Sequence, residues 1–444
     1  MNAANGLGAT VPAATSASSD LLMRTLRWWS LVELPRLNTE IAAGRDRPSA
    51  LVGAFNAELA LVGPPELFSA VQSKQLLVQL GIAGTSVTRN YQESDAYYRE
   101  RPEYPLDLLA VGPERIPFRD YYVRLAVWSG TRHPRREAYA SLIRWNVPTV
   151  EVRWQSQRLI TSNSAFGDGH TMTYTGDPGE RLLWQLIKKC EAVEVAVNRL
   201  LCPLSDGTVD FHSREAIDRI TMATELVVVI RRLLCGFAPD GDEPPSPTAA
   251  YFRAMLRQFG VHWELGDVPP SGPQDPEFLK RDLLLGIDFP GYDERVRRMF
   301  PALLGEECDA LAALLTRRSL PVELLESLGF GGPADLATMS DAQLATAAAR
   351  HPVLVAMYLL LRENARLAGT HLRLAKGMLN SAEEPDVDDA GPADSVMDQL
   401  THGRRNHALL PFGRLPLREL AVSVGIPPDH LAADVELDDV VRFA

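Results

Sequence analysis

A single histidine, His371, lies inside a helical pattern that runs from about His351 to Asn380, HPVLVAMYLLLRENARLAGTHLRLAKGMLN. On a helical period Leu361, Ala368, His371, Leu372, Ala375, Met378 and Leu379 share one face, so the imidazole points the way the core points. Ala368 and Ala375 flank it on that face, and Gly369 and Gly377 are close by. Glycine inside a helix costs about 1 kcal/mol relative to alanine, so a run of small residues here suggests that something flat lies against the helix. A haem macrocycle has matching needs: one neutral imidazole for an axial iron bond, a shelf of small residues under the ring, and cations for its propionates. Arg362, Arg366, Arg373 and Lys376 lie along the same helix as the cations. A histidine on an apolar face also has a plainer use, as a hydrogen-bonded core residue, and this helix alone leaves both open.

Other chemistries lack the residues they need. There is no Walker A loop, no G-x-G-x-x-G opening a βαβ unit, no H-E-x-x-H and no G-x-S-x-G, which disfavours nucleotide-dependent and hydrolytic activities. His402 and His407 make a metal pair only if a loop brings them together. Cys190, Cys202, Cys235 and Cys308 show neither C-x-x-C nor zinc spacing and read as free thiols of a reducing cytoplasm. With 45 Lys plus Arg against 57 Asp plus Glu the net charge is -12, so a small molecule is expected as partner, and neither nucleic acid nor an anionic membrane. The longest apolar run, Val353 to Leu361, falls well short of the ~20 residues of a spanning helix. Residues 1 to 20 have no basic n-region and no signal-length apolar run, so the expectation is a disordered N-terminus on a soluble, cytoplasmic protein.

The elements that must position His371 read as helices. A chain of 444 residues has room for two or three average domains or one large helical unit, and no internal repeat divides it. Leu21 to Leu31 reads as a first helix anchored by Trp28 and Trp29. Residues 50 to 83 carry two more, separated by the GPPE turn at Gly63 to Glu66. Asn90 to Pro117, rich in Tyr, Arg, Glu and Pro, reads as an ordered loop. Asp177, Pro178 and Glu180 supply an N-cap, an N1 proline and an N3 acid for a helix running to Pro203. A second follows from Ser213 to Leu234, and its ELVVVIRRLL run, apolar nearly all round, implies burial between other helices. Gly236 to Pro247 is linker-like, and a helix from Pro247 to Phe259 ends at Gly260. GDVPPSGPQDP is irregular and is expected to line or cover a cavity. Another helix spans Tyr292 to Arg317, and Ser340 with Gln343 makes a capping box ahead of the His371 helix. The alternating VEVRWQSQRLI is expected to form a β-hairpin. The acidic run Glu383 to Asp389 reads as a solvated loop, because EF-hand spacing is absent. In the tail, RELAVSVGIPPDHL faintly suggests helix-turn-helix, but the acidic ELDDV ending favours a packing or dimerising arm over 401–444. The expected class is all-α (mainly α), a multi-helix bundle with a small β-hairpin.

The segment GTHLRLAKG is similar to the haem-ligand helix of the monodechloroaminopyrrolnitrin synthase family, haem proteins that share their fold with tryptophan and indoleamine 2,3-dioxygenases. Four other stretches resemble that family in its own order. They are LPRLNTEIAAGRDRPSALVGAF (Leu34 to Phe55), YYVRLAVWSG (Tyr121 to Gly130), YTGDPGERLL (Tyr174 to Leu183), and YFRAMLRQFG with the later SGP (Tyr251 to Gly260, Ser271 to Pro273). The resemblance implies one haem domain over 21–400, with heme b bound through iron to His371. It places Ala368 and Ala375 under the ring and Arg373 or Lys376 near a propionate. It makes YYVRLAVWSG helical, although its β-branched and aromatic content suits a strand, and it leaves 131–172 as an insertion in which His133 and His170 are loop histidines. Where relatives carry a Gly/Ser-rich turn this chain has SAEEPDVDDAGPADSVMDQL, so Gly391 and Ser395 become the local candidates for backbone beside the cofactor. The implied activity is a haem-dependent oxygenase using dioxygen on tryptophan, a tryptophan derivative or another aromatic amino acid in natural-product biosynthesis. Tyr121, Tyr122, Trp128, His262 and Trp263 are the pocket candidates, each with core packing as its plainer use. The alternatives are a haem enzyme doing rearrangement or nitrogen-group oxidation, and a non-catalytic helical haem-binding or interaction protein; a homodimer is allowed.

Overall fold

The structure, a computed structural model, describes residues 13–112, 115–132, 134–237, 249–268, 275–287, 289–379, 399, 401–427 and 431–444. Helices α1 (Ala13–Trp28) and α2 (Leu34–Ala42) are joined without a break by a π-helical stretch over Trp29–Glu33. Pro35 has no N–H to give to the preceding turn, and the wider π turn is where the chain absorbs that loss. Next come α3 (Pro48–Leu59), α4 (Ala70–Ser94), the single turns α5 (Ala96–Arg99) and α6 (Tyr104–Asp107), the short strands β1 (Ala110–Val111) and β2 (Ile116–Pro117), and α7 (Phe118–Trp128). Helix α4 is the centre of this half: every residue from Leu76 to Asn90 is buried, against α1, α2, α3 and α7. Its polar members are satisfied internally. Ser86 and Thr88 donate to the carbonyls of Ile82 and Gly84, Asn38 donates to Ser86 Oγ and the Tyr174 carbonyl, and Asn90 donates to Asn38.

The hairpin β3 (Val150–Trp154) and β4 (Gln157–Ser162) turns through Gln155 and Ser156 at φ 47° and 68°. Two positive φ values in a two-residue turn match the twist of the flanking strands. Beyond it run α8 (Pro178–Ser205), α9 (Arg214–Gly236), α10 (Ala249–Ala254), α11 (Pro276–Leu285), α12 (Tyr292–Arg298), α13 (Gly305–Leu314), α14 (Leu320–Ser327), α15 (Pro333–Thr338), α16 (Asp341–Arg350) and α17 (Pro352–Leu379). Helix α9 lies between α8 and α17, which is why Leu226 to Ile230 are buried on every side. Helix α8 feeds two apolar clusters, one built on α1 to α7 and one on α8, α9 and α17, and α10 bridges α17 to the turn Leu256–Phe259 that touches α4. Helices occupy 67% of the chain and strands 5%, which makes it mainly α with a small β part, as expected. Among the described residues no single helix is long and apolar enough to cross a membrane. The pair α16 and α17 passes only jointly, across a 108° bend, and Val353 to Leu361 is core.

Several local expectations are met. Ser340 and Gln343 form their capping box, Asp177 caps α8 through the Gly179 N–H, Tyr121 to Trp128 is helical, and the hairpin is present. Others need correction. Trp29 is buried and stacked on Phe55 at 4.7 Å, but Trp28 is 55% exposed and anchors nothing. Asn90 to Pro117 is largely helical, because α4 continues on buried, hydrogen-bonded polar residues that leave no apolar period to read. Tyr292 to Arg317 is two helices, since Pro301 breaks the run. The tail packs on its own chain: β5 (Val441–Phe443) adds antiparallel to β3, giving the order β4-β3-β5. Residues 1–12, 380–398 and 269–274 lie outside the described residues, and with them much of the expected N-terminal tail, the acidic loop and the SGP block.

Gly84 shows how tightly the α4 half is packed. A Cβ there would meet Trp263 Cζ2 at 2.8 Å and Phe118 Cε1 at 3.0 Å, whereas one at Gly53 in α3 meets nothing within 4 Å. Urea unfolding should show Gly84→Ala destabilised by about 1–3 kcal/mol. Gly53→Ala should be neutral or gain up to about 1 kcal/mol; equal effects at both sites would contradict the packing.

Candidate functional site

His371 faces α11. Its ring meets Phe278 edge-on, with centroids 6.5 Å apart, and the same phenyl ring carries the guanidinium of Arg281 at 4.9 Å and that of Arg404 at 4.5 Å. Protein surrounds the imidazole, yet it keeps part of its surface open to water, as does Phe278, so the two line a cleft. No described residue hydrogen-bonds to either ring nitrogen, which removes the plain core-histidine reading. Burial, with Arg404 and Arg281 nearby, pushes the imidazole down to about 4, and Asp282 only partly opposes this. The ring is therefore neutral at pH 7, the form that coordinates a metal.

Beneath the cleft the charges are paired out of water. Arg404, from the helical stretch 401–405, grips Asp282 side-on through Nε at 3.1 Å and Nη2 at 2.5 Å. Arg281 Nη1 donates to Glu194, one turn beyond Glu191 on α8. Arg144 Nε donates to Glu191 and Nη1 to Glu307, each at 2.6 Å. Asp275 caps α11 by accepting the Glu277 N–H at 2.9 Å. Burial and the nearby Glu191 and Glu194 hold its carboxyl well above the usual range, hence protonated. Glu194 is pushed up to about 7 by burial, although Arg281 opposes it, and Lys188 is drawn down to about 8 for the same reason. Neither α8 nor α11 advertises this layer in sequence. The one available signal is charge set inside apolar helical runs, in CEAVEVAV and FLKRDLLL.

The cations expected from α17 are not the ones beside His371. At about 100° per residue Arg373 points about 200° away and Lys376 about 140° away. Arg373 is exposed, and Arg366 pairs with Glu363 at 2.5 Å. Ala368 is buried and Ala375 half-buried next to the histidine. Gly391 and Ser395 lie outside the described residues, as does His133, and His170 is exposed on its loop.

The proposed pocket aromatics come together with one another but not with His371. Tyr122 meets Trp263 edge-on at 5.2 Å, and Phe118 lies 6.0 Å from the same indole. Trp263 Nε1 donates to Thr85 Oγ1, and Thr85 and Tyr174 both donate to Glu137 at 2.7 Å. Tyr121 donates to the Gly63 carbonyl, and Trp128, 48% exposed, to that of Phe68. His262 Nδ1 lies 3.0 Å from Asp267 Oδ1 at the surface. All five belong to the α4–α7 half, which α10 links to α17. Phe278, Arg281, Asp282 and Arg404, which do surround His371, come from segments that sequence reading leaves unassigned.

A haem fits these residues in part. It brings its own nitrogens and asks the protein for one neutral imidazole, which His371 supplies, and for cations, which Arg281 and Arg404 supply from outside α17. Among the described residues no three His, Cys, Asp or Glu side chains are grouped to hold a metal ion by themselves. No family model matches the chain, and no curated protein matches it.

The buried pair sets one stability expectation. Arg404→Met strands the Asp282 carboxylate and should cost about 3–5 kcal/mol in denaturant unfolding, with much of that recovered when Asp282→Asn is added. A second concerns pH. The unfolded His371 binds a proton near 6.5 and the folded one only near 4, so its contribution is complete above about 6.5 and is lost as pH falls toward 4. Stability measured across that window should fall less steeply in His371→Gln. The remaining slope includes His407, which burial also pushes down to about 4.

Proposed function

We propose that this protein is a haem-dependent oxygenase acting on an aromatic amino acid such as tryptophan or a derivative, with His371 as the protein ligand of heme b. The observation that carries the reading is the state of His371: neutral, without a hydrogen-bond partner among the described residues, and open to a cleft deep in the bundle. The five family-like stretches in order add to it. When bound, the haem iron supplies the dioxygen chemistry, which requires an open position opposite the histidine. The chain's own part is to keep the imidazole unprotonated by burial and by the fields of Arg404 and Arg281, and to offer small residues at Ala368 and Ala375. Arg281 and Arg404 also place positive charge where carboxylates of a cofactor or substrate would come.

A second reading, haem chemistry of another kind such as rearrangement or nitrogen-group oxidation, draws support from the packing of Tyr122, Trp263 and Phe118. These rings fill one another's space and do not surround His371. Product mass after turnover in labelled dioxygen separates the two.

Haem reconstitution of the purified protein should give a Soret band that changes in His371→Ala. The ferrous form should bind carbon monoxide, and His262→Ala should still bind it. Iron ligation unchanged in His371→Ala would sink the assignment. A six-coordinate ferrous spectrum that excludes carbon monoxide would point to a carrier, and the absence of any haem uptake to a helical interaction protein.

A further inference from the structure

A guanidinium presents Nε–H and Nη2–H side by side, and this edge pairs with both oxygens of a carboxylate. Arg404 uses it on Asp282, and Arg27 uses it on Asp168 at 2.8 Å for both bonds. Arg281 does not. Its only hydrogen bond runs from Nη1 to Glu194, and Nε and Nη2 have no partner although the side chain is 0% exposed. Two unpartnered N–H groups on a buried cation are costly, and native proteins seldom leave them so. The neighbours of this edge are those of the cleft: Phe278 beneath the guanidinium, Arg404 on the same ring, and His371 close enough for Arg281 to depress its proton affinity.

We propose that the Nε–Nη2 edge of Arg281 receives a carboxylate of the ligand that occupies the His371 cleft. A planar monoanion with two oxygens matches the two parallel donors. A phosphate dianion does not suit the place, because Glu194 and Glu191 lie on the same wall and each has an oxygen without a partner. The layer can accept one more negative charge: Arg144, Arg281, Arg404 and Lys188 are buried in it, while Asp275 is protonated. Phe278 offers an apolar face next to the edge, so a carboxylate carried on a ring is the fitting ligand. Two sources share this chemistry, an aromatic carboxylic acid bound as substrate and a porphyrin propionate. The site rests on the haem reading only for the second.

The test uses the full-length protein. In the haem-free form, calorimetric titration with benzoate should give saturable binding, and benzamide, its neutral isostere, should bind at least about tenfold more weakly. Arg281→Lys keeps a positive charge for Glu194 but removes the paired donors, and should lose benzoate affinity by about the same factor. In a second arm haem is compared with its dimethyl ester. An acid preference of about tenfold that disappears in Arg281→Lys identifies the propionate as the guest. No ester effect, together with Arg281-dependent benzoate binding, identifies the substrate. If the lysine variant does not fold, the preference of the wild type for the acid over the neutral form in either arm decides. Absence of an acid preference in both arms, or a preference that Arg281→Lys leaves unchanged, overturns the proposal. A protein that takes up no haem but binds benzoate through Arg281 would refute the haem reading alone.

Discussion

Two ion pairs shut away from water, Arg281 with Glu194 and Arg404 with Asp282, hold α11 between α8 and the C-terminal part of the chain. All four side chains are 3% exposed or less, so each charge depends on its partner. Removing one member of such a pair is expensive, while replacing both with well-packed apolar groups is often neutral. The pairs therefore matter less for total stability than for where α11 sits. With α11 so held, Phe278 lies against His371 and two cations flank it, and the histidine stays unprotonated as a result.

The other half is organised around a second buried acid, which works differently. Glu180, at the third position of α8, reaches back past the N-cap and accepts from the Tyr174 and Thr175 N–H groups, the Thr175 hydroxyl and Trp184 Nε1. It ties the Tyr-Thr-Gly stretch to the start of α8. Tyr174 in turn stacks on Phe259 at 4.3 Å and donates to Glu137. The aromatic residues proposed for a pocket belong to this polar and aromatic centre, and their first duty is to hold α4 and α7 together. The two centres communicate through shared elements, α8 and α10, and the residues that could do chemistry are divided between them.

How much was legible follows from where each signal resides. Caps act between neighbours in sequence, so Asp177 with Pro178 and Ser340 with Gln343 can be read directly. The hairpin follows from strict alternation, and the burial of α9 and α17 from runs that are apolar on every side. The π stretch before Pro35 and the full length of α4 are not legible, because one is a local repair and the other buries polar residues that pattern reading assigns to a surface. Trp28 and Trp29 are alike as letters, and only packing against Phe55 separates them.

The same division holds at the site. By itself the sequence determines a mainly α chain with an apolar helix that carries His371 beside small residues, because helical period and residue size are local properties. Which charges face that histidine is decided only in three dimensions. Arg281 finds Glu194 across 87 positions and Arg404 finds Asp282 across 122, whereas Arg373, two residues from His371, turns to the opposite side of the helix. Electrostatic pairing acts through space and leaves no period in the chain, so the groups that tune His371 became visible only when α11 and the C-terminal segment closed around it.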